Sequence, residues 1–159
     1  MKKILYYATI LLTFFTLSCS SDDNNSTNQN NSDYKIEFST QLSDSDLLLE
    51  VTYLWQDENL TSMSYVETYT NPATGIVLTG SKNVNAKNTV GIKFKVISGG
   101  NYLSDTVVKI TRLDNNLVIG EETNAESIAA TGTSIPNNTL TVIYNIDNDS
   151  FDSQFSTTP

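Results

Sequence analysis

The sequence predicts an all-β protein in which residues 34–146 fold as a single sandwich of about eight short antiparallel strands. Apolar side chains recur at every second position through most of this region, which is the period of a half-buried strand. Clusters of Asn, Asp, Ser, Gly and Pro separate these runs, and no long stretch has the helical period of about 3.6 residues. An up-and-down barrel is the alternative fold, because a closed meander has the same alternation.

The first half of this domain contains four predicted strands. Tyr34, Ile36 and Phe38 share one face of the first, with polar residues between them. The second strand has apolar side chains on both faces near its ends, which predicts a central position in its sheet. A connection containing Pro72 and Gly75 precedes the fourth strand. In order, the strands are predicted at residues 34–39, 47–55, 61–69 and 76–78.

The second half contains the other four predicted strands. The alternation that begins at Val90 and Ile92 is the most regular in the chain, and residues 114–116 (Asp-Asn-Asn) are its strongest hairpin signal. Residues 121–134 are ambiguous between one helical turn and a weak strand. Residues 147–159 predict an acidic, flexible C-terminal tail. In order, the strands are predicted at residues 90–97, 106–113, 117–119 and 140–146.

The beginning of the chain has the three parts of a signal peptide, predicted at residues 1–18. Lys2 and Lys3 supply the positive start, and residues 4–17 form an uncharged, mostly apolar run. This run is shorter than the roughly 20 residues that a spanning helix requires. Cys19 follows at once and is the only cysteine in the chain, so an intramolecular disulfide is excluded.

Residues 16–19 (Thr-Leu-Ser-Cys) resemble the lipobox of bacterial lipoproteins, in which the cysteine is acylated with chains such as palmitate and becomes the new N-terminus. The stretch after it resembles the surface-export signal of lipoproteins from the Bacteroidetes group. The resemblance implies lipidation of Cys19 and a lipid-anchored position on the outer membrane, at the cell surface. Its export residues would be Ser20, Ser21, Asp22 and Asp23.

Residues 19–33 are predicted to be the lipidated cysteine and a disordered polar tether, because no apolar side chain follows Cys19 until Tyr34. A flexible chain of this length has a typical reach on the order of 20 Å. Removal of the leader leaves seven basic against eighteen acidic side chains, a formal charge of −11. Such an acidic protein lacks the basic patch that nucleic acid requires, so no nucleic-acid partner is expected.

The chemistry available to the chain is limited because it contains no histidine and its single cysteine is assigned to lipid. Ser/His/Asp and Cys/His nucleophilic arrangements are thereby excluded, and so are the usual zinc and copper ligand sets. No cofactor is expected. Carboxylate chemistry and calcium binding stay open, and the densest acidic cluster supplies the candidate calcium ligands Asp147, Asp149 and Asp152.

The sequence contains two other kinds of candidate site, an aromatic platform and a glycosylation motif. Trp55 and Tyr53 are candidates for a sugar-stacking platform, and a place in the core is the competing interpretation, which their position on an apolar strand favours. Residues 105–107 (Asp-Thr-Val) resemble the O-glycosylation motif of Bacteroidetes secreted proteins, with Thr106 as acceptor. Residues 107–127 resemble the strand–turn–strand pattern of prealbumin-like and other immunoglobulin-like modules, which implies an immunoglobulin-like sandwich.

These features predict a non-enzymatic interaction or accessory module of the cell envelope, anchored by its N-terminal lipid. Its expected partners are the membrane and an envelope protein or a glycan. A glycan-binding accessory lipoprotein is the second hypothesis. A carboxylate-dependent hydrolase is the third, and it requires two acidic side chains that converge in one cleft at roughly 5–9.5 Å.

Overall fold

A computed structural model describes residues 32–42, 48–70, 77–98, 102–130, 135 and 137–157. Within these ranges the protein consists of ten β-strands and no helix. The strands are β1 (Ser32–Leu42), β2 (Leu48–Gln56), β3 (Ser62–Thr70), β4 (Val77–Ala86), β5 (Thr89–Ser98), β6 (Tyr102–Arg112), β7 (Leu117–Asn124), β8 (Ile128–Ala129), β9 (Thr139–Asn145) and β10 (Ser150–Ser156).

The strands form two five-stranded antiparallel sheets. In the first, sheet A, the order is β4-β1-β6-β7, and the short β8 also pairs with β6. In the second, sheet B, the order is β10-β9-β5-β2-β3. Each sheet ends in separate edge strands over the described part of the chain, so the sheet does not close on itself. The predicted β-sandwich is therefore confirmed, and the alternative of a closed barrel is wrong.

The core lies between the two sheets and is built from the alternate residues of their inner strands. On β1 the side chains at Tyr34, Ile36 and Phe38 are buried, while those between them are partly exposed. Tyr53 of β2 and Phe94 of β5 are the two largest fully buried side chains. Period-two patterning thus gives each sheet one face toward the core and one toward water.

Strand positions agree with the sequence-based prediction where apolar alternation is strong. The expected central strand is β2, which pairs with β3 on one side and β5 on the other. The expected hairpin at residues 114–116 joins β6 and β7. The strand predicted at residues 76–78 is much longer, because β4 continues through a polar run in which Val84 and Ala86 alone are buried. Within residues 121–134, the described part holds the end of β7 and the two-residue β8.

The predicted flexible tail is replaced by a tenth strand. β10 pairs with β9 through seven consecutive residues, from Ser150 opposite Asn145 to Ser156 opposite Thr139. Phe151 and Phe155 alternate with polar residues on this strand and pack against the core. The prediction failed because the acidic residues 147–152 dominate the composition, whereas two phenylalanines four positions apart supply the apolar face.

The end of the sandwich at which Ser32 enters is closed by short hydrogen-bonded turns. The amide of Leu113 donates to the carbonyl oxygen of Asp33, that of Lys87 to Gln56 and that of Ile146 to Asn88. Leu60, Asn116 and Asp149, one in each of three turns, have positive φ angles of 61°, 53° and 50°. The predicted hairpin turn at residues 114–116 lies at this end, whereas the predicted connection containing Pro72 and Gly75 falls outside the described residues.

Candidate functional site

The residues predicted to carry lipid and direct export lie outside the described residues: Cys19, Ser20, Ser21, Asp22 and Asp23. What the structure describes is where their segment joins the sandwich. The chain enters at Ser32, the first residue of β1, and β1 lies between β4 and β6 in sheet A. Among the described residues, none belongs to a helix long and apolar enough to cross a membrane.

The proposed aromatic platform is not formed by the predicted pair. Tyr53 is 0% exposed, so it cannot stack on a sugar, and its prediction as a platform residue is wrong. Trp55, next on the same face of β2, is partly buried and packs against the core. Both point inward because they continue the apolar face of Leu49 and Val51. The core interpretation, which the sequence favoured, describes these residues.

A tyrosine cluster lies where the edges of β3 and β4 meet. The ring centroid of Tyr53 is 6.5 Å from that of Phe38 and 6.4 Å from that of Tyr65, while Tyr69 meets Phe38 edge-on at 6.0 Å. The Tyr69 hydroxyl donates a hydrogen bond of 2.6 Å to Oε2 of Glu67. Burial, then the neighbouring Glu67 carboxylate, raises the pKa of Tyr69 to about 12. The neutral form of the Tyr69 hydroxyl is thereby favoured at physiological pH.

Tyr65 is the exposed member of this cluster, and Lys82 and Tyr53 lie beside its ring. The Nζ atom of Lys82 on β4 lies 3.5 Å from the Tyr65 ring centroid, a cation–π arrangement. Tyr53 lies beside the ring as well, with the two planes inclined by 35°. A sugar that stacked on the face of Tyr65 covered by Lys82 would have to displace Lys82, so this face does not favour the glycan hypothesis.

The edge strand β3 carries the most exposed apolar surface in sheet B. Met63 is 41%, Tyr65 42% and Val66 51% exposed. All nine residues of β3 pair with β2 without a register shift. Among the described residues, no strand pairs with the opposite side of β3. Its outer backbone groups therefore form a straight and unpaired edge.

A polar concavity of about 420 Å³ lies on the outer face of sheet A. Its charged residues include Glu37, Lys109 and Glu121. Glu37 bridges two lysines, with its carboxylate 2.7 Å from Lys35 Nζ and 3.1 Å from Lys109 Nζ. The Lys35 hydrogen bond is the largest cause that lowers the pKa of Glu37. The acid of a glycosidase needs a raised pKa, so Glu37 does not suit that role.

A second concavity, of about 460 Å³, lies at the end of the sandwich where the chain enters. Tyr34, Arg112 and Leu117 line it from sheet A, and Tyr144 and Asp149 line it from sheet B. The Tyr144 hydroxyl donates to the Asp149 carboxylate, and Nε of Arg112 is 3.0 Å from an Asp114 carboxylate oxygen. Burial is the main cause that raises the pKa of Tyr144. These polar contacts stabilise the β6–β7 and β9–β10 turns at this end of the sandwich.

The candidate calcium ligands do not converge. Asp149 accepts the hydrogen bond from Tyr144, and Asp152 accepts one of 3.1 Å from the amide group of Gln154. The backbone amide of Asp147 donates to the side chain of Asn145 in the β9–β10 turn. Over the described ranges, no group of three or more His, Cys, Asp or Glu side chains is arranged to hold a metal ion. The cluster forms a hairpin turn.

Thr106, the candidate glycan acceptor, is buried inside sheet A. It is 1% exposed, and its Oγ1 lies 2.9 Å from Oγ1 of Thr40 on the neighbouring strand β1. A sugar on this oxygen would occupy the space filled by Thr40. The folded sandwich is therefore incompatible with the predicted modification, since a β-strand places alternate residues toward the core whatever local motif they belong to.

Comparison of the chain with protein-family models, with curated proteins and with solved structures finds no match. The functional argument therefore rests on the sequence pattern around Cys19 and on the fold. The sequence-based reading missed the exposed edge of β3 and the Lys82–Tyr65 contact. A signal for the edge was present, because residues 61–70 are rich in Tyr, Thr, Met and Val but contain a single charge, Glu67.

Proposed function

We propose that this protein is a surface-exposed lipoprotein of the outer membrane that acts as a non-enzymatic interaction or accessory module of the cell envelope. The observation that carries the proposal is the position of Cys19. This sole cysteine follows a leader too short to span a bilayer and precedes a polar stretch with a Ser-Ser-Asp-Asp start. The resemblance to Bacteroidetes lipoproteins assigns the acyl chains to this residue.

The arrangement of the domain supports an anchored module. Twelve residues separate Cys19 from Ser32, where β1 begins. A flexible segment of that length spans roughly 20 Å, so the sandwich would stand clear of the headgroups. The turns at the end nearest the tether carry several carboxylates, including Asp57, Asp114 and Asp147, and these do not favour contact with an anionic membrane surface.

The same proposal includes an immunoglobulin-like character for the sandwich. Support comes from the two antiparallel sheets and from the resemblance of residues 107–127 to immunoglobulin-like and prealbumin-like modules. Such folds present loops and edges for binding on a rigid scaffold. The absence of histidine from the chain removes the Ser/His/Asp and Cys/His arrangements, which supports a binding role over catalysis.

Metabolic labelling with a fatty acid tests the anchor. We expect the wild-type protein to incorporate label and to fractionate with membranes, whereas Cys19→Ala loses both, because no other thiol can accept the diacylglyceryl group. Asn30→Ala, a change within the tether, serves as the matched control and should label normally. Incorporation of label that persists in Cys19→Ala would contradict the lipoprotein proposal.

A further inference from the structure

The concavity on the outer face of sheet A is lined by two neighbouring rows of side chains that cross the sheet. In the strand order β4-β1-β6-β7, the first row consists of Ser81, Glu37, Lys109 and Glu121. The second row lies two residues away along the strands and consists of Thr79, Ser39 and Val107. Four neighbouring strands span about 14 Å. The volume of about 420 Å³ lies within the range of small-ligand sites.

The charged side chains of this concavity compensate one another. The Glu37 carboxylate lies 2.7 Å from Nζ of Lys35 and 3.1 Å from Nζ of Lys109. Glu121 lies directly opposite Lys109 on β7. These two basic and two acidic side chains sum to no formal charge. The site therefore does not select a cation or an anion by net charge.

Most polar side chains of the concavity are free to bind a ligand. Within the described part of the chain, four of them take part in no side-chain hydrogen bond or ion pair: Ser39, Thr79, Ser81 and Glu121. The Glu37 side chain is 27% exposed, and its carboxylate can accept about four hydrogen bonds, of which the two lysines use two. A hydroxyl both donates and accepts. Donors and acceptors therefore lie side by side in this site.

The main chain beneath the concavity is already paired, so a ligand must bind through side chains. β1 pairs with β4 and β6, and β6 pairs with β7 on its other side. An added peptide strand would need the unpaired backbone of a sheet edge instead. Val107 is partly exposed and supplies an apolar contact beside the hydroxyls. The matching ligand is uncharged and carries many hydroxyl groups next to a small apolar face, which is the chemistry of a neutral sugar.

We propose that the outer face of sheet A is a glycan-binding site, in which a neutral sugar unit lies across β4, β1 and β6. This inference rests on the proposed role as an interaction module and names its ligand class. Hydroxyls of the sugar donate to the Glu37 and Glu121 carboxylates and accept from the Lys109 ammonium group, while C–H groups of the ring contact Val107. Hydrogen bonds to charged groups are strong and directional, so the site distinguishes one arrangement of hydroxyls from another.

The first test uses the purified full-length protein in detergent and an array of neutral, acidic and amino-substituted oligosaccharides. We expect neutral members to bind and acidic members to fail, because the chain without its leader has a formal charge of −11. Methylation of the hydroxyls of the best neutral oligosaccharide should abolish binding, because the carboxylates then lose their donors. Titration with the unmodified oligosaccharide should shift amide resonances of β1, β4 and β6 in NMR spectra.

Glu37→Gln and Thr79→Val are the variants of the site, and each has a matched control on the outer face of sheet B. Glu50→Gln changes a partly exposed carboxylate on the inner strand β2, and Thr68→Val changes an exposed threonine on the edge strand β3. Glu37→Gln should weaken binding of the best neutral oligosaccharide by at least about tenfold, and Thr79→Val by about fivefold. Both controls should leave it within about twofold. Circular dichroism establishes that all four variants are folded.

Several results would overturn the inference. An array on which no neutral oligosaccharide binds would exclude the ligand class, and binding confined to acidic or amino-substituted members would mean attraction by charge. Equal losses in a site variant and its control would exclude this concavity, and so would resonance shifts confined to the surroundings of Tyr65 or Tyr144. Each of these readouts is independent of Cys19 acylation, so a failed anchor would be recognised separately by labelling.

Discussion

Tyr53 and Tyr144 are buried tyrosines whose hydroxyls have different surroundings. The Tyr53 hydroxyl is buried beside Tyr69 and Glu67, which add to the effect of burial in raising its pKa, but it makes no well-formed hydrogen bond with the described residues, since Tyr69 donates to Glu67. The Tyr144 hydroxyl donates to Asp149 and lies 3.4 Å from the carbonyl oxygen of Ile119. An unpaired buried hydroxyl costs free energy, whereas a paired one contributes to stability.

The pair Tyr53→Phe and Tyr144→Phe should therefore have opposite effects on the free energy of unfolding. We expect Tyr53→Phe to leave it unchanged or to raise it by up to about 1 kcal/mol, because a buried polar atom is removed. Tyr144→Phe should lower it by about 1–2 kcal/mol, because the Asp149 carboxylate loses its donor. Urea denaturation measures both. A comparable loss in both variants would show that the Tyr53 hydroxyl is paired.

The raised tyrosine pKa values predict how stability changes with alkaline pH. The pKa of Tyr69 is about 12 in the folded protein and that of Tyr53 is raised as well, burial being the main cause for both. In the unfolded chain tyrosine titrates near pH 10. A raised folded pKa means that this stabilisation is fully present below about pH 10 and is lost as pH rises toward about 12.

The free energy of unfolding should accordingly be flat just below about pH 10 and fall above it. Tyr53→Phe should show a shallower decline, because the unfolded variant releases one proton fewer. Urea titrations at a series of alkaline pH values measure the slope. An identical slope in the variant would contradict the assignment of Tyr53 as a contributing group.

At the scale of single elements, β10 is the strand whose contribution to stability is most directly testable. The ring centroids of Phe151 and Tyr144 are 5.0 Å apart, and Phe155 packs against the same core. Phe151→Ala and Phe155→Ala should each lower the free energy of unfolding by about 1–3 kcal/mol, which is below the cost at a fully buried site. Gln154→Ala on the exposed face should change it by no more than about 0.5 kcal/mol.

Urea or thermal denaturation measures these three variants. Phenylalanine variants as stable as Gln154→Ala would indicate that β10 does not dock on β9. Phe151→Ala should also expose the adjacent surface of β7, because the Phe151 ring lies against Gly120. Gly120 has no side chain, and a methyl group there would overlap the ring, so β7 and β10 are fitted to each other.

At the scale of the whole molecule, the proposed surface display of the sandwich can be tested at the residues that precede it. Replacement of Asp22 and Asp23 together by Ala should lower the fraction of protein that added protease digests on intact cells, because the proposed export signal loses its acidic residues. Replacement of Asn28 and Asn30 by Ala is the matched control. Protease accessibility that stays the same in the Asp variant would count against surface export.

Much of the fold was predictable because it depends on local patterns. The apolar alternation predicted β1, β2 and β5, and the inner faces of these strands are buried as expected. The Asp-Asn-Asn segment predicted the β6–β7 hairpin. The sequence-based prediction made β4 too short and missed β10, and both errors have the same cause. Each has few large apolar residues, so its strand conformation depends on pairing with β1 or β9 rather than on its own composition.

The sequence by itself determined the period-two alternation of the strands, the residues of the turns, the acidic charge and the three-part leader that precedes Cys19. Each of these can be identified from composition or from residues close together in the chain. The tertiary structure decided which side chains are exposed to solvent. Tyr53 is buried whereas Tyr65, directly opposite it on β3, is exposed, although both are tyrosines on strands of the same sheet. The difference accompanies their places in sheet B, where β2 is an inner strand and β3 is the edge strand. Edge position is fixed by long-range pairing, and no local pattern encodes it.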